Sequence, residues 1–207
     1  MTEAAPAHSP EPSYIFTADW FSHNVPQWEQ WLAPLAGKPG IQGLEIGSHQ
    51  GRSTIWLLEN IFTAPDSKLY CVDTFEGSVE HSETDKSHLF EIFNHNLRLS
   101  GGAERVQVMR GQSGTVLRSI IPQPFFDFIY IDGDHHASAV LEDAMLCFPL
   151  LKDGGILVFD DFAWGGMPYE WQRPKIAIEG FFHAMREHVE ILGSGYQVAF
   201  RKTVPTP

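Results

Sequence analysis

Five short apolar runs recur along the chain, at residues 42–46, 68–72, 105–109, 126–131 and 155–159, with helical patterns between them. Runs of this length without polar alternation predict strands buried on both faces. Between the first two, residues 52–62 place Ile55, Leu58 and Phe62 at helical spacing. Residues 137–148 do the same with Val140, Ala144 and Cys147, before Pro149 and the Gly154-Gly155 stop. Strand alternating with helix requires parallel crossovers, so the expected fold class is α/β, a doubly wound sheet. Such sheets take ligands beyond the carboxyl ends of their strands.

Two segments depart from simple alternation. Pro174 opens a predicted helix to about Glu187, after which residues 189–192 and 196–201 flank Gly193-Ser194-Gly195 as a hairpin. An antiparallel edge would close the sheet there. At the other end, residues 19–35 form a predicted helical segment that concentrates Trp20, Phe21, Trp28 and Trp31, too aromatic to lie free in water. Packing against the sheet is the plainer role, and covering a substrate is the other. Exposed aromatic surface near this segment would invite a homodimer. Residues 1–13 and 203–207 read as tails around one continuous unit, 14–202.

Charge narrows the partners. The 207 residues carry 14 basic and 26 acidic side chains, a formal charge of -12. That is the wrong sign for tracking nucleic acid or anionic lipid, so neither partner is expected. No stretch approaches the length of a membrane span, and the first residues lack a basic region leading into an apolar core, so no leader is expected. Cys71 and Cys147 sit in apolar runs without ligand spacing, which points to a reducing, cytoplasmic setting.

The densest chemical signal is Leu44-Glu45-Ile46-Gly47-Ser48-His49-Gln50-Gly51-Arg52-Ser53, a strand entering a glycine turn and then a helix. Glycines let a ligand approach the backbone, and the helix start offers unpaired amide donors. The Gly-x-x-x-Gly spacing is not the dinucleotide Gly-x-Gly-x-x-Gly, which disfavours a pyrophosphate cradle. Asp73 closes the second strand, where an acid accepts ribose hydroxyls. With Glu45 in the loop motif, it suggests a cationic, ribose-bearing ligand, as S-adenosylmethionine is. Gly111-Gln112-Ser113 after the third strand offers a small polar group to an adenine edge, or a helix N-cap at Ser113.

Acids also collect further along. The fourth strand ends in Ile131-Asp132-Gly133-Asp134-His135-His136 and the fifth in Phe159-Asp160-Asp161-Phe162. Carboxylates gathered at neighbouring strand ends repel one another, and a hard divalent ion such as Mg²⁺, Mn²⁺ or Ca²⁺ relieves that repulsion. Turn capping explains one such acid well and two adjacent pairs poorly. His135, three residues past Asp132, is placed to take a proton from a hydroxyl that the ion has acidified. His136 is expected to point elsewhere. His81, His88 and His95, seven apart along a predicted helix, read as a solvated stripe.

The segments LEIGSHQGRS, VDTFEGS, RGQS, IDGDHH and VFDDF, in this order, resemble the class I S-adenosylmethionine-dependent methyltransferases. Within them the chain is most similar to the small metal-dependent O-methyltransferases, which include macrocin-type sugar enzymes and, more distantly, catechol and caffeoyl-CoA enzymes. The resemblance spans residues 40–202. It implies a Rossmann-like, seven-stranded, mostly parallel sheet with an antiparallel last strand, in agreement with the hairpin. It further implies that Gly47, Ser48 and Ser53 hold the methionine end of the cofactor, Asp73 the ribose and Ser113 the adenine side. Asp132, Asp160 and Asp161 match the metal ligands, with Asp132 also beside the cofactor and catalytic with His135, which stands where relatives place a histidine or lysine base. Gln112 stands where many relatives have an acid. Asp161 stands where the catechol branch has asparagine, which leans the likeness toward sugar and natural-product enzymes. The expected activity is methyl transfer to a hydroxyl of a small molecule, a sugar, natural product or aryl compound. The rivals are a nicotinamide-dependent oxidoreductase and a non-catalytic binder of S-adenosylmethionine or a nucleoside.

Overall fold

A computed structural model describes residues 13–78, 86 and 88–204. Most of both expected tails, and His81, lie outside the described residues. Seven strands, β1 (Gln42–Ile46), β2 (Lys68–Asp73), β3 (Val106–Arg110), β4 (Phe126–Ile131), β5 (Leu151–Phe159), β6 (Val189–Ser194) and β7 (Val198–Lys202), form one sheet. Their order is β3-β2-β1-β4-β5-β7-β6. Strand β7 runs antiparallel to both of its neighbours, β5 and β6, and the other pairings are parallel. Strand order reverses between β1 and β4, and the crevice at that switch point is where such sheets bind ligands.

Helices cover both faces. On one side α1 (Val25–Leu32), α2 (Arg52–Asn60) and α3 (Leu89–Leu99) bury Trp28, Leu58 and Phe93 against Phe128 and Tyr130 of the sheet. On the other, α4 (Ser113–Arg118), α5 (Ala137–Cys147) and α6 (Pro174–Met185) bury Leu117, Ala144 and Phe181 against Ile129, Phe159 and Phe200. These strands are apolar on both faces because both are covered.

The aromatic segment is less helical than its pattern predicts. Asp19 Oδ1 accepts the N–H groups of Phe21 (3.2 Å) and Ser22 (2.9 Å), bending the chain into a 3₁₀ turn, Ser22–Asn24, before α1 starts with Pro26 in its first turn. Residues 13–16 lie outside any helix. Strand β5 begins four residues before the expected Gly155, because Gly154 (φ +79°) carries the irregular stretch where its register with β4 shifts. The histidine stripe is corrected too: α3 starts at Leu89, and His88 precedes it at φ +58°, so His88 and His95 do not share one helical face. Among the described residues, no helix is long and apolar enough to cross a membrane.

Candidate active site

A cavity of about 970 Å³ opens at the carboxyl ends of β1, β2 and β4. The loops after β1 to β5 wall it on one side, and Phe16, Asp19, Trp20 and His23 close it on another.

The glycine loop is shaped by what surrounds it. Gly47 has φ +83°, and a Cβ there would stand 1.9 Å from the Asp132 carbonyl oxygen. Gly51, also left-handed at φ +85°, precedes α2. Asp73 Oδ2 accepts the backbone N–H groups of Ser48 (2.7 Å) and His49 (2.8 Å), while Oδ1 accepts that of Phe75 (2.6 Å). Asp73 therefore braces the loop while facing the cavity.

Glu45, read from sequence as a ligand-binding acid, does not line the cavity. It is fully buried beneath the loop and accepts the hydroxyls of Ser48 (2.7 Å), Ser53 (2.6 Å) and Thr54. Burial raises its pKa, although these donors oppose the shift. Ser48 and Ser53 do line the cavity, so Glu45 orients two residues of its wall from beneath. Gln112 and Ser113 also line it, but Gln112 occupies the N-cap position of α4, without a side-chain cap bond, and Ser113 bonds Asp143 instead of capping.

The acids at the ends of β4 and β5 are brought together by register. Ile131 pairs with Phe159, so Asp132 and Asp160 leave the sheet side by side. Asp161 adopts φ +59°, and its Oδ2 lies 3.0 Å from His135 Nε2. The same nitrogen lies 3.9 Å from Asp132 Oδ1. One ligand atom each from Asp132, His135 and Asp161 falls within a 4.8 Å cluster. Burial, then the Asp160 and Asp161 charges, raise Asp132 well above the usual carboxylate range. Burial, then Asp161, push Asp160 up to about 6. These are groups that a cation would relieve, and two carboxylates with an imidazole fit a divalent ion's donor chemistry.

Asp160 stands apart from that cluster. Its Oδ1 accepts the Asp161 N–H (2.7 Å), and its Oδ2 accepts the Gln197 amide (2.7 Å) and meets the Tyr130 hydroxyl. A carboxylate has about four lone-pair sites, and three of those on Asp160 are engaged within the protein. Tyr196 donates its hydroxyl to Asp161 Oδ1 at 2.8 Å. His136 is tied to Asp134 Oδ1 through its ring Nδ1 (2.6 Å) and its backbone N–H (2.8 Å).

The aromatic segment divides between the core and the cavity wall. Phe21, Trp28 and Trp31 are core residues, whereas half-exposed Trp20 lines the cavity with its ring 5.4 Å from that of His49. Residues ahead of it cross the glycine loop. Gln50 accepts the Thr17 N–H (2.8 Å) and donates to its hydroxyl (3.0 Å). Arg52 pairs with Asp19 (3.3 Å) and covers the Phe16 ring (4.1 Å). Of the aromatic groups following β5, Trp164 lines the cavity against His135, while Tyr169 and Trp171 stack on each other at the surface.

Sequence reasoning missed Tyr130, Tyr196, Gln50 and Gln197. The only signal was a polar group inside an apolar run, as at Gln197 between β6 and the Val198–Lys202 strand.

Comparison with known proteins bears on this geometry. Residues 44–162 match the family described as a methyltransferase domain. A catechol O-methyltransferase of Mycobacterium tuberculosis (strain ATCC 25618 / H37Rv) is 28% identical over 181 residues, spanning 85% of this chain and 74% of the relative. The O-methyltransferase TomG from Streptomyces achromogenes, involved in tomaymycin synthesis and solved with SAM, is 23% identical with a TM-score of 0.61, covering 86% of this chain and 80% of that one. MycE, from the mycinamycin biosynthetic pathway and solved with Mg, SAH and mycinamycin VI, is 15% identical with a TM-score of 0.58, covering 90% of this chain and 51% of that one. At these identities the solved structures establish a common fold.

Proposed function

The chain belongs to the methyltransferase-domain family, and from that premise we propose that its cavity joins S-adenosylmethionine to a small-molecule hydroxyl held by a divalent ion. The enzyme is an S-adenosylmethionine-dependent O-methyltransferase. The observation that carries the finer reading is one of placement: the Asp132–His135–Asp161 cluster and the Asp73-braced glycine loop open onto the same cavity. Its volume, about 970 Å³, accommodates two ligands of this size.

The cofactor supplies an electrophilic methyl group, and a divalent ion supplies positive charge that acidifies an alcohol. Asp132 and Asp161 would hold such an ion, and Asp160 braces them. Ser48, Ser53 and Asp73 would orient the cofactor, with Gln112 and Ser113 at its adenine side. His135 would take the acceptor's proton at Nε2, and Trp164 fixes the plane of its ring. Catalysis then rests mainly on positioning, because holding two reactants at attack distance removes much of the entropic barrier. Trp20, His23 and Trp164 give the acceptor an aromatic surround. Mycinamycin VI and Mg in the MycE structure support a natural-product acceptor and an ion on this fold.

The test is titration with S-adenosylmethionine, S-adenosylhomocysteine and NAD, with and without Mg²⁺, followed by turnover on a panel of sugar, aryl and macrolide alcohols. We expect both sulfur nucleosides to bind, NAD to fail, and Mg²⁺ to be required for turnover. Preference for NAD would overturn the reading. Binding without turnover on any alcohol would leave a non-catalytic binder.

A further inference from the structure

A buried polar relay lies behind the carboxylates. Trp28 Nε1 donates to Gln197 Oε1 at 2.5 Å, across 169 residues of sequence. Gln197 Nε2 donates to Asp160 Oδ2 at 2.7 Å and lies 3.4 Å from the Tyr130 hydroxyl. That hydroxyl reaches Asp132 Oδ2 at 2.9 Å and also contacts Asp160. Trp28, Tyr130 and Gln197 are essentially inaccessible to water.

The chemistry of the groups sets their direction. An indole is a donor only, so Gln197 must turn its carbonyl oxygen to Trp28 and its NH₂ to the carboxylate. The two amide hydrogens then face Asp160 and the Tyr130 oxygen, and the tyrosine's own proton turns toward the acids. One end of the relay reaches Asp132. The other reaches Asp161, because Asp160 Oδ1 accepts the Asp161 N–H that starts the left-handed turn aiming its carboxylate at His135.

We infer that Gln197, clamped by Trp28, and Tyr130 are positioning residues that hold Asp132 and Asp161 at the spacing a divalent ion needs. The inference rests on the proposed function and deepens it: α1 becomes a support of the ion site as well as a core helix. Packing alone does not account for the relay. Burying an amide and a phenol among Phe128, Val158 and Ala199 is unfavourable compared with apolar residues of similar shape, unless the polar atoms are needed where they are.

The test measures Mn²⁺ binding to the full chain by electron paramagnetic resonance, beside S-adenosylhomocysteine affinity and melting temperature. Tyr130→Phe, Gln197→Leu and Trp28→Phe each remove donors while keeping most of the volume. We expect Tyr130→Phe and Gln197→Leu to weaken Mn²⁺ binding about tenfold or more, the range found when groups supporting metal ligands are removed. Trp28→Phe should have a smaller effect, and none when added to Gln197→Leu. Nucleoside affinity should hold. Wild-type Mn²⁺ affinity in all three variants, or parallel losses of Mn²⁺ and nucleoside binding with a lowered melting temperature, would overturn the inference. If Gln197→Leu fails to fold, Tyr130→Phe decides alone. A wild-type chain that does not bind Mn²⁺ would overturn the ion reading itself, and the inference with it.

Discussion

Asp73 Oδ2 accepts the backbone N–H of Ser48 at 2.7 Å, so the acid ending β2 and the loop leaving β1 form one hydrogen-bonded unit. A ligand that touches the acid also depends on the loop. Asp73→Ala should therefore lower S-adenosylhomocysteine affinity by more than one lost ribose contact, on the order of 3 kcal/mol, since charge-assisted bonds are worth roughly 1.5–3 kcal/mol each. Calorimetry reads the effect, with Mn²⁺ affinity as the control expected to stay. Unchanged nucleoside affinity would remove Asp73 from the cofactor site.

The adjacent histidines supply each other's control. His135→Ala should lower turnover roughly 100-fold to 10,000-fold, the usual range for losing a general base, while S-adenosylhomocysteine still binds. If Mn²⁺ affinity falls with it, His135 is a ligand of the ion rather than the proton acceptor. His136→Ala should be nearly silent, because that ring is partly exposed and is tied to Asp134. Steady-state rates alongside Mn²⁺ titrations separate the outcomes.

Removing the ion should expose the repulsion among the carboxylates. A chelator should abolish wild-type turnover, and Asp132→Asn or Asp161→Asn should do so at any Mg²⁺ concentration, since each removes a charged oxygen. Full activity in chelator would show that the cluster needs no ion.

Stability should respond to pH through Asp143, which burial pushes from 3.8 up to about 6. Its folded pKa lies above the unfolded one, so the folded chain binds the extra proton between them and stability falls as pH rises through that window. At about 1.4 kcal/mol per pH unit the whole effect is ~3 kcal/mol. Asp143→Asn keeps a polar group facing Ser113 and should flatten this part of the curve. Urea denaturation from pH 4 to 7 is the measurement, and an unchanged slope would refute the assignment.

Two buried amides, Asn96 and Gln50, help to hold the aromatic wall of the cavity. Asn96 takes the Ile15 N–H and donates to its carbonyl, both at 2.8 Å, as a neighbouring strand would. Gln50 holds Thr17 from within the glycine loop. Gln50→Ala should free residues 14–20 to proteolysis and raise the KM for S-adenosylmethionine several-fold with less change in kcat. Protease protection that stays intact would argue against this hold.

Most of the sheet was legible because its strands are apolar on both faces and end abruptly at Asp73, Asp132 and Asp160, where polarity and strand end coincide. Tyr130 was not, since a tyrosine in Phe-Asp-Phe-Ile-Tyr-Ile reads as one more core aromatic and its partners lie on other strands. The engagement of Asp160 by groups other than its acidic neighbours was equally hidden. Gln197, which bonds Asp160 Oδ2, lies far along the chain. Residues 13–18 have no periodicity at all, and the groups that hold them, Gln50, Glu59, His95 and Asn96 among them, lie elsewhere in the chain.

The contact of Gly47 with the Asp132 carbonyl, too close for even a methyl group, sets where this site can change. On the proposed reading the methyl donor's cradle and the acceptor's anchor meet backbone to backbone at this point, so any residue larger than glycine at position 47 would push the two apart. On that reading a new acceptor would be accommodated from the opposite wall, where Trp20 and His23 stand on a segment held by Gln50, Asn96 and the Arg52–Asp19 pair. On that reading, reaction geometry and substrate choice fall to different parts of the chain, the first to a close backbone junction and the second to an aromatic wall.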